Sequence, residues 1–204
     1  MSLFRQARFE TSVAHTATLP PDDGAEIAFA GRSNSGKSSA INTLADHTRL
    51  AHVSKTPGRT QLLNFFRLQC GARLVDLPGY GYAAVPEKIR MKWQGLIETY
   101  LKNRACLVGL VLMMDARHPM TTLDRQMIGW FVPSGRPIHV LLTKSDKLSR
   151  GAGAAALNQV RAALKTYGSG GAGMLYTAQL FSSLTKSGIE ECEQVVGAWL
   201  GQMG

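Results

Sequence analysis

Acidic residues are scarce in this 204-residue chain: 14 Asp and Glu stand against 23 Lys and Arg, a formal net charge of +9. A balance so far to the basic side favours polyanionic partners. Cysteine is scarce too. Cys70, Cys106 and Cys192 lie too far apart for a CxxC-type metal spacing, and an odd count completes no disulfide framework, so three reduced thiols packed as small apolar groups are expected. The five histidines, His15, His47, His52, His118 and His139, are scattered and form no ligand pair, which argues against a histidine metal centre. No apolar run approaches the ~18 residues of a membrane span. The first twenty residues carry Arg5, Arg8 and Glu10 without an apolar run between them, so the expectation is a cytoplasmic protein with no membrane span.

What the chain does have is the composition of an ordinary folded domain, 45% hydrophobic and 18% charged, at a length suited to one domain with a substantial core. Strands and helices alternate along it. Ile27 to Ala30 is a short apolar run ending at Gly31, and a small-residue helix follows from about Gly36 to Ala45. Asn64 to Gln69 and Arg73 to Val75 flank Gly71 and read as two strands joined by a tight turn, one of them an antiparallel edge. Pro86 opens a long helix to about Asn103. Leu107 to Met114 is an uninterrupted apolar run, as expected of a central parallel strand buried on both faces, and it ends at Asp115. A helix at Leu123 to Phe131, a strand at Ile138 to Leu142, a helix at Ala154 to Tyr167 and a strand at Met174 to Phe181 follow, with a glycine-rich connector at Gly168 to Gly173. Ile189, Cys192, Val195, Val196 and Trp199 recur at helical spacing and close the chain. The pattern predicts an α/β fold, a mostly parallel doubly wound sheet with one antiparallel edge strand, helices on both faces and ligands at the carboxyl ends of the strands. Residues 1–23 are expected to be an N-terminal edge segment and residues 24–204 a single nucleotide-binding domain.

The motifs stand at those strand ends. Gly31-Arg32-Ser33-Asn34-Ser35-Gly36-Lys37-Ser38 matches the phosphate-binding loop GxxxxGK[ST] between a predicted strand and helix. Its glycines let backbone N–H groups curl around a phosphate, Lys37 reaches the β/γ oxygens, and Ser38 ligates Mg²⁺. Asp76-Leu77-Pro78-Gly79 follows the next strand, and this spacing assigns Asp76 to Mg²⁺ through water and the Gly79 amide to the γ-phosphate. Between them, Ser54 to Gln61 reads as a polar loop in which Thr60 is the first choice to close over Mg²⁺ and Thr56 the second. Thr143-Lys144-Ser145-Asp146 resembles the guanine-reading NKxD motif. An aspartate accepts both N1–H and N2–H of guanine, whereas adenine offers no donor at N1. Phe181-Ser182-Ser183 follows the last strand and supplies backbone N–H groups for guanine O6.

Taken together, GRSNSGKSS at Gly31 to Ser39, SKTPGRTQ at Ser54 to Gln61, LVDLPGYGY at Leu74 to Tyr82, TKSDKL at Thr143 to Leu148 and Ser182-Ser183-Leu184 resemble the EngB (YihA/YsxC) family of ribosome-biogenesis GTP-binding proteins, within the TrmE-Era-EngA-EngB-septin-like GTPases. The similarity runs from about Phe9 to Leu200. It implies a Ras-like P-loop fold, an EngB-type G domain over 24–204, binding of GTP or GDP with Mg²⁺, hydrolysis of GTP, a switch role in large ribosomal subunit assembly, and an association with cell division and septation. The residues it marks for nucleotide and metal are Gly31 through Ser38, Gly58, Arg59, Thr60, Gln61, Leu62, Asp76, Leu77, Pro78, Gly79, Thr143 to Asp146 and Phe181 to Ser183, with Lys37, Thr60 and Gly79 nearest the chemistry and Ser38, Thr60 and Asp76 at the metal.

Tyr80 stands where Ras-type proteins place the glutamine that orients the attacking water, so slow intrinsic hydrolysis is expected, with a partner, a monovalent cation or substrate phosphate completing the site. Asn34 has two readings: a ligand for K⁺, as in some related GTPases, or a hydrogen bond that stiffens the phosphate loop. The positive charge is local. Thr48 to Arg104 holds ten bases, Arg49, Lys55, Arg59, Arg67, Arg73, Lys88, Arg90, Lys92, Lys102 and Arg104, against Asp76, Glu87 and Glu98. These bracket the two loops expected to sense the γ-phosphate, so a surface of RNA phosphates is expected to feel the nucleotide state. The resemblance implies that this partner is the large ribosomal subunit and its rRNA, without DNA, and a monomer is expected. Trp93 and Tyr100 read as core residues or as stacking platforms for bases. Among rivals, a P-loop metabolic kinase needs a lid that the chain lacks. A helicase or motor ATPase needs a larger frame. A septum-associated protein using GTP as a structural ligand is the remaining alternative.

Overall fold

A computed structural model describes residues 3–51, 62–81, 87–168 and 175–201, with side chains throughout except at 87–90, 92 and 93. The elements among these are β1 (Arg8–Val13), β2 (Glu26–Gly31), α1 (Lys37–Leu44), β3 (Leu63–Arg67), β4 (Arg73–Asp76), α2 (Glu87–Asn103), β5 (Leu107–Asp115), α3 (Thr122–Phe131), β6 (Ile138–Thr143), α4 (Arg150–Lys165), β7 (Tyr176–Leu180) and α5 (Ile189–Gly201). The strands form one sheet in the order β1-β3-β4-β2-β5-β6-β7. Parallel pairing joins β4, β2, β5, β6 and β7.

β3 runs antiparallel to β4 across the turn at Gly71, but it does not form the edge. The N-terminal strand β1 pairs antiparallel outside it. Its alternation is weak, mostly exposed with Val13 buried, which is why the segment reads poorly in sequence. Phe4 is fully buried and stacks edge-on against Phe29, anchoring residues ahead of β1 to the core. α4 begins at Arg150, four residues earlier than its apolar spacing suggests. The Ser149 hydroxyl accepts the Ala152 amide and starts the helix through the glycine-rich stretch that follows.

Each sheet face is covered separately. α2, α3 and α4 bring Tyr100, Leu101, Ile128, Phe131, Val160 and Leu164 against Ala28, Leu110, Leu112 and Leu142. α1 and α5 bring Ile41, Leu44, Cys192, Val196 and Trp199 against Ile27, Phe29, Val111 and Met113. β2, β5 and β6 are buried on both faces, which accounts for the unbroken apolar run of β5 and for the mostly apolar β2 and β6, interrupted only by buried Glu26 and His139 and ending, in β6, at Thr143.

The opposite end of the sheet is held by a buried charge cluster at the start of β2. Glu26 is fully buried and accepts from Arg104 Nε at 2.9 Å and Nη2 at 2.6 Å and from the Tyr100 hydroxyl at 2.9 Å, with Arg73 Nη1 at 3.5 Å. Arg104 also donates to the carbonyls of Pro20 and Pro21, and Arg73 to that of Asp23, so the segment before β2 is tied to the sheet by the same two guanidiniums.

Candidate functional site

The site is assembled where β2, β4, β5, β6 and β7 end. The loop Gly31 to Lys37 leaves β2 with Asn34 at φ 63° and Gly36 at φ 87°, and α1 starts from Gly36 with no side-chain cap. Its first amides are therefore free for an anion. Gly31 has no room for a side chain: a Cβ there would lie 2.5 Å from Ser35 Oγ and 3.0 Å from the Met113 carbonyl. Among the described residues the Ser33 and Ser35 hydroxyls are buried with no hydrogen-bond partner, two orphaned polar groups within the loop that the sequence reads as facing phosphate.

Three contacts fasten this loop to its neighbours. Lys37 Nζ contacts Asp76 Oδ1 at the end of β4. The Thr143 hydroxyl, buried at the end of β6, donates to the Ser35 carbonyl and, at 3.1 Å, to that of Met114. Lys144, at φ 57°, donates from Nζ to the Asn34 carbonyl at 2.7 Å and to Asp115 Oδ2 at 2.9 Å. Asp115 is held well below the usual carboxylate range, first by the Arg117 guanidinium and then, against its burial, by Lys144. Sequence reading gives Asp115 only the end of a strand; beside the neighbouring Arg117, its partner Lys144 lies 29 residues away.

The Asn34 side chain is exposed and makes no hydrogen bond among the described residues, while its main-chain carbonyl accepts from Lys144. Leu77 donates its amide to the Phe29 carbonyl, carrying the Asp76 to Gly79 segment alongside β2. Pro78 is buried, and Gly79 packs on Ser33, where an added Cβ would sit 3.6 Å from the Ser33 Cα.

At the other end, Ser145 and Asp146 form a short 3₁₀ turn, and the Ser145 amide donates to the Phe181 carbonyl. The Ser182 hydroxyl, fully buried, donates to Asp146 Oδ1 at 2.6 Å and accepts the Thr185 amide at 3.2 Å. That bond, with Lys147 3.4 Å away, lowers the Asp146 carboxyl below its ordinary value. Asp146 borders an open cavity of about 780 Å³ beside α4 and β7, so the carboxylate is reachable from solvent. Ser183 follows, half-buried.

Leu62 is described as a bend before β3. Thr56, Gly58, Arg59, Thr60, Gln61, Lys55 and Tyr82 lie outside the described residues, as do the side chains of Lys88, Arg90, Lys92 and Trp93 and most of the connector at 169–174. Among the described residues no group of three or more His, Cys, Asp or Glu is placed to hold a metal. An ion at Ser38 and Asp76 therefore needs oxygens from elsewhere, and a hydroxyl with a carboxylate suits Mg²⁺, which is held by few protein ligands plus phosphate and water.

Two expectations are corrected. The ten-base segment is not a single free face: Arg73 and Arg104 are each 4% exposed and spent on Glu26, Arg67 pairs with Glu10 and Lys102 with Glu98. Neutralising a buried carboxylate requires charge that a sequence count credits to the surface. Of the two readings open for Tyr100 the core one holds, since it is 1% exposed. Among the cysteines, Cys106 and Cys192 are buried as expected but Cys70 is exposed, in the β3–β4 turn.

A phosphate loop, an aspartate loop and a TKxD turn gathered at one end of this sheet define a Ras-like P-loop GTPase domain. Residues 26–144 match the family model described as a 50S ribosome-binding GTPase. The chain is 72% identical over 201 residues to the probable GTP-binding protein EngB of Azoarcus sp., covering 98% of this chain and 94% of that protein. It is 55% identical over 200 residues to that of Neisseria meningitidis serogroup B, with 98% and 94% coverage. The chain belongs to the EngB family of GTP-binding proteins, and membership in a GTPase family implies hydrolysis of GTP. Solved structures agree on the fold: a probable GTP-binding protein engB superposes with TM-score 0.68 at 19% identity over 87% of this chain and 100% of that one, and Era of Aquifex aeolicus with 0.66 at 17% identity over 85% and 56%. No described helix is long and apolar enough to cross a membrane.

Proposed function

We propose that this protein is a GTP-hydrolysing switch that acts on the large ribosomal subunit during its assembly, in the cytoplasm, with normal cell division and septation depending on that work. The observation that carries the nucleotide half is the convergence of Lys37, Asp76, Lys144 and Asp146 on one strand-end surface. The ribosomal half is supported by the matched family's description as ribosome-binding and by the basic residues of the 48–104 segment that no buried acid consumes.

In this reading residues 24–204 are one nucleotide-binding unit. Asp146 accepts guanine N1–H and N2–H, with the Ser182 bond fixing its orientation. Lys144 has its ammonium committed to Asn34 and Asp115, so only its methylene stem is left to lie along the base. The amides of Gly31 to Ser38 and the Lys37 ammonium take the phosphates, which requires Lys37 to exchange Asp76 for β/γ oxygens. Ser38, Asp76 through water, and Thr60 would hold Mg²⁺, which would neutralise charge developing on the phosphate oxygens. The Gly79 amide meets the γ-phosphate. No glutamine follows Gly79, so intrinsic turnover is slow, and a ribosomal partner or K⁺ near Asn34 speeds it.

The test is co-sedimentation with large ribosomal subunits across a salt series, with GDP and with a non-hydrolysable GTP analogue. Tighter binding in the triphosphate state is expected, and removing the charges of Lys88 and Lys92 should lower the salt slope by about 0.7 to 0.9 per lost phosphate contact while sparing GTP affinity. Equal sedimentation in both states, with no effect of the double substitution, favours the septum-associated alternative.

A further inference from the structure

The carboxylate of Asp124 is fully buried at the start of α3 and divides its oxygens between two tasks. Oδ2 closes a capping box, accepting the Thr121 amide at 3.0 Å and its hydroxyl at 2.7 Å. Oδ1 faces the nucleotide loops. It accepts Arg32 Nε at 3.2 Å, from the second residue of the phosphate loop, and the Tyr80 hydroxyl at 3.3 Å, from the residue after Gly79. Arg32 continues to the His118 carbonyl at 3.2 Å. The backbone repeats the connection: Arg32 and Tyr80 form a β-bridge, and the Ser33 amide donates to the Tyr80 carbonyl at 2.7 Å. Gly81, at φ 85°, turns the chain away where a Cβ would lie 2.7 Å from Leu123 Cδ1. Tyr80 is thus pinned at both its carbonyl and its hydroxyl, and Gly79 between Tyr80 and Pro78 is left packed on Ser33.

We propose that Asp124 is a positioning residue for the γ-phosphate loop: by holding Arg32 and Tyr80 on one oxygen it presets the Gly79 amide against the phosphate loop and makes α3 the seat of that loop. The proposal rests on the GTPase reading of the site. A pinned Gly79 favours the triphosphate over the diphosphate, because only the triphosphate gains the amide and the cost of ordering that amide is already met. Burial and the adjoining carboxylate push the Tyr80 phenol well above its ordinary value, so it serves as a fixed donor and not as a base. The same pins tie nucleotide state to α3, whose Met127, Ile128 and Phe131 are buried in the core with Leu96, Ile97 and Tyr100 of α2.

The experiment measures affinities for GDP and for a non-hydrolysable GTP analogue, with kcat and KM for GTP, in the wild type, Tyr80→Phe, Asp124→Asn and the double variant. Tyr80→Phe keeps the capping box and the ring, so it folds even if Asp124→Asn is too damaged to measure. It should leave GDP affinity nearly unchanged and lower analogue affinity and kcat by about three- to tenfold, the size of one buried hydroxyl bond. The double variant should lose less than the product of the single losses. Equal losses for GDP and analogue, no loss, or independent effects in the double variant would overturn the positioning role and leave Asp124 as a helix cap. A wild type that binds neither nucleotide would instead sink the GTPase reading itself.

Discussion

In the proposed function Asp146 is a carboxylate prepared for one base. Ser182 donates to Oδ1 and lowers the carboxyl below its ordinary value, so the side chain is an ionised acceptor at neutral pH. Asp146→Asn keeps the Ser182 bond, because the amide oxygen still accepts, but replaces the second acceptor with a donor that opposes guanine. Two charge-assisted hydrogen bonds at about 1.5 kcal/mol or more each imply a loss of GTP affinity of roughly a hundredfold. Xanthosine triphosphate, with a carbonyl at position 2, should gain relative to GTP. Competition titration against a fluorescent nucleotide reads both, and a variant that keeps GTP preference would refute the base assignment.

The element most exposed to pH is the β6–β7 pair. His139 on β6 is 1% exposed, with Nδ1 2.7 Å from Thr177 Oγ1 and Nε2 2.7 Å from Gln179 Oε1 on β7, and Gln179 in turn donates to the Gly188 carbonyl behind the Ser182 loop. Burial lowers its pKa from 6.5 to about 4, the Gln179 bond opposing. The unfolded chain then binds a proton between pH 6.5 and 4 that the folded chain resists. Stability from this group is intact above pH 6.5 and falls as pH drops through that window, by about 2 to 3 kcal/mol at pH 4.5. Urea unfolding at pH 7 and 4.5 measures it. A His139→Gln variant should lose that much less on acidification than the parent, and equal losses in the two proteins would place the acid sensitivity elsewhere.

At the scale of the whole molecule, the proposed nucleotide contacts come from five strand ends, so a ligand bound there would tie together elements that otherwise meet only through the sheet. Ligand that binds only the folded state stabilises it by about 2.7 kcal/mol at a hundred times its Kd. In a domain of this size that corresponds to a rise in Tm of about 5 to 11 °C. GDP should produce it and ADP at the same concentration should not, as followed by thermal unfolding. Equal shifts with the two would mean that the base end does not discriminate.

Sequence alone determined the order of elements from β2 onward and the motifs of the candidate site. The phosphate loop, the DxxG turn and TKxD are contiguous segments whose residue types follow from backbone geometry and hydrogen-bonding needs within a few positions, and the double-sided burial of β5 is written in its run Leu107 to Met114. The tertiary structure decided what required partners far apart in the chain. Asp115 meets Lys144, Asp124 meets Arg32 and Tyr80, and Glu26 meets Arg73 and Arg104, over separations of 29 to 92 residues. No local pattern announces such pairs, because a buried charge is compensated by whichever element the topology brings beside it. For the same reason the formal charge of the 48–104 segment overstated its free surface, and the edge place of β1, whose pairing with β3 crosses fifty residues or more, became visible only in the folded sheet.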